Sequence, residues 1–463
     1  MGMTSPSNSP LSFPINLGRQ TLARLFNSLM ALQANLWLVP ALYCIGFFIV
    51  TAGLYTAEIA YPEIFHKPIT LFQGEAADAK TVVATLLSAM ITMATLSISI
   101  TIVVLSLAAS QLGPRLIKSV MSDRRTKDFI GMFFGAIVAC FVLTVILHSR
   151  QPDQPVPQTT IAFVFLVVFV NLFVLLGFVH HIAQSCMADS VIYRVSRELN
   201  HTIDRLAEDE GTEDESEELA DLPSDFEKSG VPLELRQSGY IQHIGYKTVV
   251  ERAAAADALV RIDVSAGYYG IAGERVGWIH GVKDGTDEAR TLLDAIGGAI
   301  TIDTTRTPTQ DLEYSVRHLV EIAVRALSPG INDNYTAIQV VDQFSASLAA
   351  MFSKTVPNGR YCDEDGVARL WAVTTGPEDI VFNAFDRIRL AAAGKPDVTA
   401  HMLAKIKVLS SFARRDAVRS VLRDQVKAIM QDMECCSATI VDEAEIKSLA
   451  DEAMKSLHGK GTE

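Results

Sequence analysis

Four long apolar blocks, separated by polar loops, fill residues 36–185. They run over about Leu36–Ala57, Thr81–Ser110, Phe129–Leu147 and Ile161–Ile182. As helices rising about 1.5 Å per residue, each is long enough to cross a hydrocarbon core about 30 Å thick. The second block contains no charge, proline or glycine, and its hydroxyls are ordered. Thr81, Thr85, Ser88, Thr92, Thr95, Ser99, Ser106 and Ser110 recur in steps built from threes and fours. At about 100° per residue they share a stripe about 80° wide, with Ser97 and Thr101 on the opposite side. Such a seam reads either as a wet, pore-lining surface or as a packing face for another helix. In the third block Gly131, Gly135 and Ala139 recur every four residues, a small-residue face that admits a close neighbour.

Gly113-Pro114 should end the second helix, with Pro114 opening a short basic one. After the fourth block the helical pattern need not stop. Val191, Val195, Leu199, Ile203 and Leu206 form one apolar stripe. It fits a self-associating stalk or an amphipathic helix packed on its own domain. Residues 204–226 are strongly acidic and read as a solvated linker. From Val231 the period shortens, and glycines bound the strand-like runs around Ile262, Val264, Tyr268, Ile271, Val276 and Trp278. That pattern predicts a small β-barrel or sandwich. Beyond Thr286 it is mostly helical, up to a last helix at Asp442–Leu457. The expected division is therefore 1–35, a tail and an interfacial helix over Leu17–Gln33; 36–185, a four-helix transmembrane domain; 186–230, a stalk and acidic linker; 231–285, a β-rich subdomain; and 286–463, a helical bundle. The fold class is an α-helical membrane domain with a cytoplasmic α+β domain.

Composition supports two environments: 49% of the 463 residues are hydrophobic and 20% charged. A net charge of −13 argues against a nucleic-acid partner. The six cysteines, including the vicinal pair Cys435-Cys436, form no metal-binding spacing and read as reduced thiols. No cleavable signal peptide is recognisable, so the first block reads as an uncleaved anchor. Lys and Arg concentrate before the first block and over 111–128, while the 58–80 and 149–160 loops are poor in them. The positive-inside rule then places both termini in the cytoplasm. Hydrolase, zinc-protease, P-loop and kinase signatures are absent from the sequence, so no catalytic residue, metal ligand or cofactor is assigned. No charge lies inside any span, which disfavours a carboxylate proton relay. Asn171, in mid-span, should hydrogen-bond a neighbouring helix or face a pore, and His180-His181 mark a boundary. The densest polar stretch is 311–342. There Arg325, Ser328, Gly330, Asn332 and Asp333 form a corner that serves either as an anion or ligand site at a helix start or as a plain capped turn.

The runs LSISITIVVLSLAASQLGPRLIKSVMSDRRTKDFIGMFFG and RALSPGINDNYTA, with SGYIQHIG and GYYGIAGERV, resemble the bacterial membrane-protein family called domain of unknown function 2254. The likeness extends from the first span to about residue 430. Asn334 departs from it, standing where a proline is expected. The resemblance implies a four-span inner-membrane protein with a C-terminal cytoplasmic domain and carries no activity with it. Two functions remain open. One is an oligomeric, channel-like or transport-related protein with the hydroxyl seam around a pore. The other is a non-conducting sensor or scaffold whose cytoplasmic domain binds a ligand or partner protein. The partners expected are the lipid bilayer and further copies of the chain.

Overall fold

The computed structural model describes residues 37–65, 76–150, 156–208, 226–354, 358–434 and 440–458. The expected tail, the interfacial helix, most of the acidic linker and Cys435-Cys436 lie outside them. The chain divides into two compact units. The first runs to Ala109 and resumes over Pro114–Cys186; the second comprises Ser110–Gly113 and Met187–Glu463.

In the first unit, α1 (Leu38–Ala60), α2 (Ala76–Leu112), α4 (Arg124–His148) and α5 (Gln158–Ser185) are long and apolar enough to cross a membrane. The short amphipathic α3 (Arg115–Ser122) precedes α4 and buries Leu116 and Val120. Gly113, at φ +110°, ends α2 in a conformation that costs glycine nothing, and Pro114 starts the next helix. The closest packing is α1 on α4. A Cβ on Gly131 would sit 2.5 Å from the Tyr43 ring, and one on Gly135 2.5 Å from the Phe47 ring. The small-residue face thus admits two aromatic rings. Ala136, Ala139, Cys140 and Leu143 of α4 continue it into a core shared with Val83 and Met90 of α2 and Ile161 and Val164 of α5.

Polar contacts clamp both ends of these helices. Glu58, in the last turn of α1, accepts hydrogen bonds from the Thr159 and Thr160 amides (3.0 and 3.1 Å) and the Thr160 hydroxyl (2.8 Å). It thereby caps the start of α5, where amides have no helical partner. At the other end His181 meets Asp123 at 2.8 Å and Thr126 at 3.4 Å. Asn171 is fully buried and donates to the Val167 carbonyl of its own helix at 2.9 Å, so within this chain it faces neither a pore nor a neighbouring helix's carbonyl.

The second unit begins with α6 (Ala188–Glu208), separated from α5 by a turn at Cys186. Val191, Ile192, Val195, Leu199 and Ile203 of α6 are all buried. They pack against α9 (Leu312–Ala326) and α10 (Asn334–Phe352), and Ser196 bonds Ser347 at 3.1 Å. The apolar stripe of the expected stalk therefore belongs to the unit's own core. Burying each such side chain contributes about 1.5–3 kcal/mol, which explains why the stripe is covered by α9 and α10.

The strands form two sheets instead of a barrel or sandwich confined to 231–285. β1 (Val231–Glu234), β5 (Arg275–His280), β3 (Leu259–Ile262), β8 (Ala368–Ala372) and β7 (Arg360–Cys362) make a five-stranded sheet in that order. All its pairings are antiparallel except β3 with β8. β4 (Tyr269–Gly270), β2 (Gly239–Ile244) and β6 (Ile300–Asp303) form an antiparallel three-stranded sheet. Helices α7 (Tyr246–Ala255) and α8 (Asp287–Ala299) close the core through Val249, Ala253, Leu292 and Ile296 over Val260, Ile262, Ile279 and Leu370. The remaining helices, α11 (Pro377–Ala391), α12 (Pro396–Ser410), α13 (Asp416–Glu434) and α14 (Ile440–His458), extend the layer begun by α9 and α10.

Valine at Gly135 would push side-chain atoms into the Phe47 ring. The expected loss is about 1–3 kcal/mol, read as a lower Tm of the purified protein in detergent. Phe47→Ala in the same chain should restore part of it.

Candidate functional site

The hydroxyl seam occupies the face of α2 opposite the one that packs. Val83, Met90, Ala94, Ser97, Thr101 and Leu105 are buried, and at about 100° per residue they share one side of the helix. All eight seam residues, Thr81, Thr85, Ser88, Thr92, Thr95, Ser99, Ser106 and Ser110, are exposed on the other. Thr81, Thr85, Ser88 and Thr92 donate to the carbonyls four residues back, at 2.8–3.1 Å. Their donor capacity is thus met inside the helix, leaving oxygen lone pairs along an outward strip. Buried Ser97 and Thr101 back-bond in the same way, each at 2.7 Å.

The corner between α9 and α10 carries its own helix cap. Asp333 caps α10, accepting from the Thr336 amide at 3.1 Å and hydroxyl at 2.6 Å. Its own amide donates to Ala326. A carboxylate therefore already occupies the helix start. Arg325 pairs with Glu321 at 3.3 Å, and its Nη1 donates to the Ser110 carbonyl at 3.4 Å. Ser328 donates to the Arg325 carbonyl, and the space beside Gly330 is open. Asn332, at φ +52°, accepts from Lys395 at 2.5 Å. Asn334, where a proline is expected, donates from its side-chain amide to Asp397, in the first turn of α12, at 2.9 Å. Ile331 and Tyr335 project outward, 40% and 82% exposed.

Two further features were not read from the sequence. Arg306 and Asp311 form an ion pair at 2.7 Å with side chains 14% and 2% exposed. Asp311 also caps α9 through the Tyr314 amide. Burial pushes its carboxyl above the ordinary range, against the pull of Arg306. Gly267, at φ +92°, lies against the pair; a Cβ there would stand 2.3 Å from both Arg306 Nη2 and Asp311 Oδ2. Nearby, Tyr246 and Tyr361 stack with ring centroids 4.6 Å apart. They border a polar cleft of about 1040 Å³, lined also by His243, Lys247, Glu251, Asp363, Glu364 and Asp365. The carboxylates give the cleft a negative wall. Asp363 itself is committed to Arg369, whose hydrogen bond holds it below the usual carboxylate range. The cleft exists because β7 and β8 return beside β3, about a hundred residues earlier, a pairing no local pattern announces. Among the described residues, no group of three or more His, Cys, Asp or Glu is gathered to hold a metal ion.

The family model described as "Predicted membrane protein (DUF2254)" matches residues 33–407. Two proteins described as uncharacterised, one from Mycobacterium bovis and one from Mycobacterium tuberculosis, are 26% identical to this chain over 398 residues. Each alignment covers 85% of this chain and 75% of the relative. No solved structure matches.

Removing one partner of the buried pair tests its weight. Asp311→Ala leaves Arg306 with Glu313 alone, at 3.8 Å, and α9 uncapped, with an expected loss of about 3 kcal/mol by thermal or denaturant unfolding of the full chain. Acid should act elsewhere too. Burial opposes ionisation of Asp342, but hydrogen bonds from Lys405 and His401 outweigh it and hold the carboxyl below its ordinary value. Its contribution is present above the usual aspartate range and is lost as pH falls through the lowered folded value. Asp342→Asn should therefore reduce the acid-induced fall in Tm relative to the parent chain.

Proposed function

The chain belongs to this family of predicted membrane proteins, and from that premise we propose that it acts as an oligomeric, channel-like or transport-related protein of the bacterial inner membrane. In this reading several protomers turn their α2 seams toward a common axis. The second unit, placed in the cytoplasm by the positive-inside rule, regulates them. One observation carries the reading: the hydroxyls point away from the protomer's own core along the whole of α2. A helix meeting only lipid gains nothing from eight aligned hydroxyls, whereas oxygen lone pairs on a facing strip stabilise water or partly hydrated ions. The seam carries no charge, so selectivity would be weak and gating would lie elsewhere. The second reading is a non-conducting sensor or scaffold. It is favoured by Ile331 and Tyr335, which stand exposed on an otherwise well-bonded corner and suit an aromatic anchor for a partner.

Two measurements on the purified full chain separate the readings. Native mass spectrometry should give a defined oligomer, and planar-bilayer recording should give discrete conductance. Thr92→Val combined with Thr95→Val and Ser99→Ala should change unitary conductance without changing oligomer mass. An intact oligomer that passes no current under voltage, tension or pH change would leave the sensor reading standing.

A further inference from the structure

Independently of that reading, we propose that a groove in the first unit holds one acyl chain of an anionic phospholipid, with the headgroup phosphate on the basic α3–α4 segment. The groove has a volume of about 490 Å³, and Trp37, Ala41, Ile102, Met121, Phe134 and Phe178 are among its walls. The wall's hydroxyl, Thr101, is already bonded to the Ser97 carbonyl, so the trough presents almost nothing but hydrocarbon.

Its position is as informative as its surface. Trp37 stands at the start of α1, Met121 in the last turn of α3 and Ile130 two turns into α4. The trough therefore opens where the helices end, beside α3, at the depth where Trp marks a membrane–water interface. Residues 115–128 carry Arg115, Lys118, Arg124, Arg125 and Lys127 against Asp123 and Asp128. Asp123 is occupied by His181, and Asp128 by the Tyr43 hydroxyl, with Arg124 reaching it at 3.9 Å; Lys118 and Arg125 lie beside them. Lys118, Arg124 and Arg125 are exposed, Arg124 by 91% of its side chain. An apolar trough ending in a cation cluster matches an anionic lipid in the order of its parts: tail, then phosphate. The other possible occupants match less well. A second copy would bring an identical positive cluster up to this one. Residues 1–36 carry Arg19 and Arg24 and no acid, so they too would meet like charge.

The test uses the delipidated full chain in detergent, offered phosphatidylglycerol or phosphatidylcholine with the same acyl chains. Native mass spectrometry should show one retained phosphatidylglycerol, favoured by about tenfold or more, since each basic residue near a membrane surface contributes about 1 kcal/mol. Ala41→Trp should sharply reduce that retention. Lys118→Gln, Arg124→Gln and Arg125→Gln together should bring the two lipids to near equality. A benzophenone photocrosslinker in place of Phe134, an exposed groove wall on α4 and not on α2, identifies the occupant even if Ala41→Trp fails to fold. A lipid adduct is expected. An adduct to residues 1–36 or to a second copy would overturn the proposal, as would equal retention of both lipids by the parent chain.

Discussion

A polar group inside hydrocarbon has no water to bond with, so its partner must come from the protein. That constraint organises the first unit. Four seam hydroxyls and both buried hydroxyls of α2 bond their own helix backbone. Asn171 does the same in α5, and Glu58 reaches from one helix to satisfy the first amides of another. With most of these donors met locally, the buried Thr51 hydroxyl of α1 being an exception, packing between helices falls largely to shape. Two glycines on α4 accept two rings of α1 because hydrophobic burial between helices is worth little when lipid is equally apolar.

The second unit has water available and spends its polar groups differently. Carboxylates tie distant segments together. Asp311 joins the 306 loop to α9, Asp342 gathers His401 and Lys405 from α12, and Asp397 is held by Asn334. Arg389 bridges Asp386 to Asp432, joining α11 to α13. The Asp342, Asp397 and Asp432 pairs span tens of residues in sequence and fix how one helix lies on the next. Because Arg306 and Asp311 are both largely buried, each makes the other's burial tolerable.

What was legible in the sequence is what repeats locally. The four spans follow from apolar length, the break at Gly113-Pro114 from two residues, and the division of α2 into a hydroxyl face and an apolar one from a 3.6-residue period, which does not say which of the two is buried. The α6 stripe was equally visible, yet its period could not say whether the partner was another copy or α9 and α10. Strand partners were less legible still. β8 is five residues long and pairs in parallel with β3, so neither strand names the other, and the expected barrel gave way to two open sheets. The cleft at Tyr246 and Tyr361 was hidden for the same reason. The corner shows another limit: in sequence, an aspartate that caps a helix and one that frames a ligand site look alike, and the structure adds the amide from which Asp333 accepts.

One dimension has a mechanical consequence. At 37 residues, α2 is about 55 Å long, against a hydrocarbon slab of about 30 Å. A rod that exceeds its slab must lean or protrude, and how far it does either depends on slab thickness. Thickening the bilayer draws α2 upright, and thinning it tips the rod over. The angle at which eight aligned hydroxyls meet their surroundings is therefore a property of the membrane as much as of the chain.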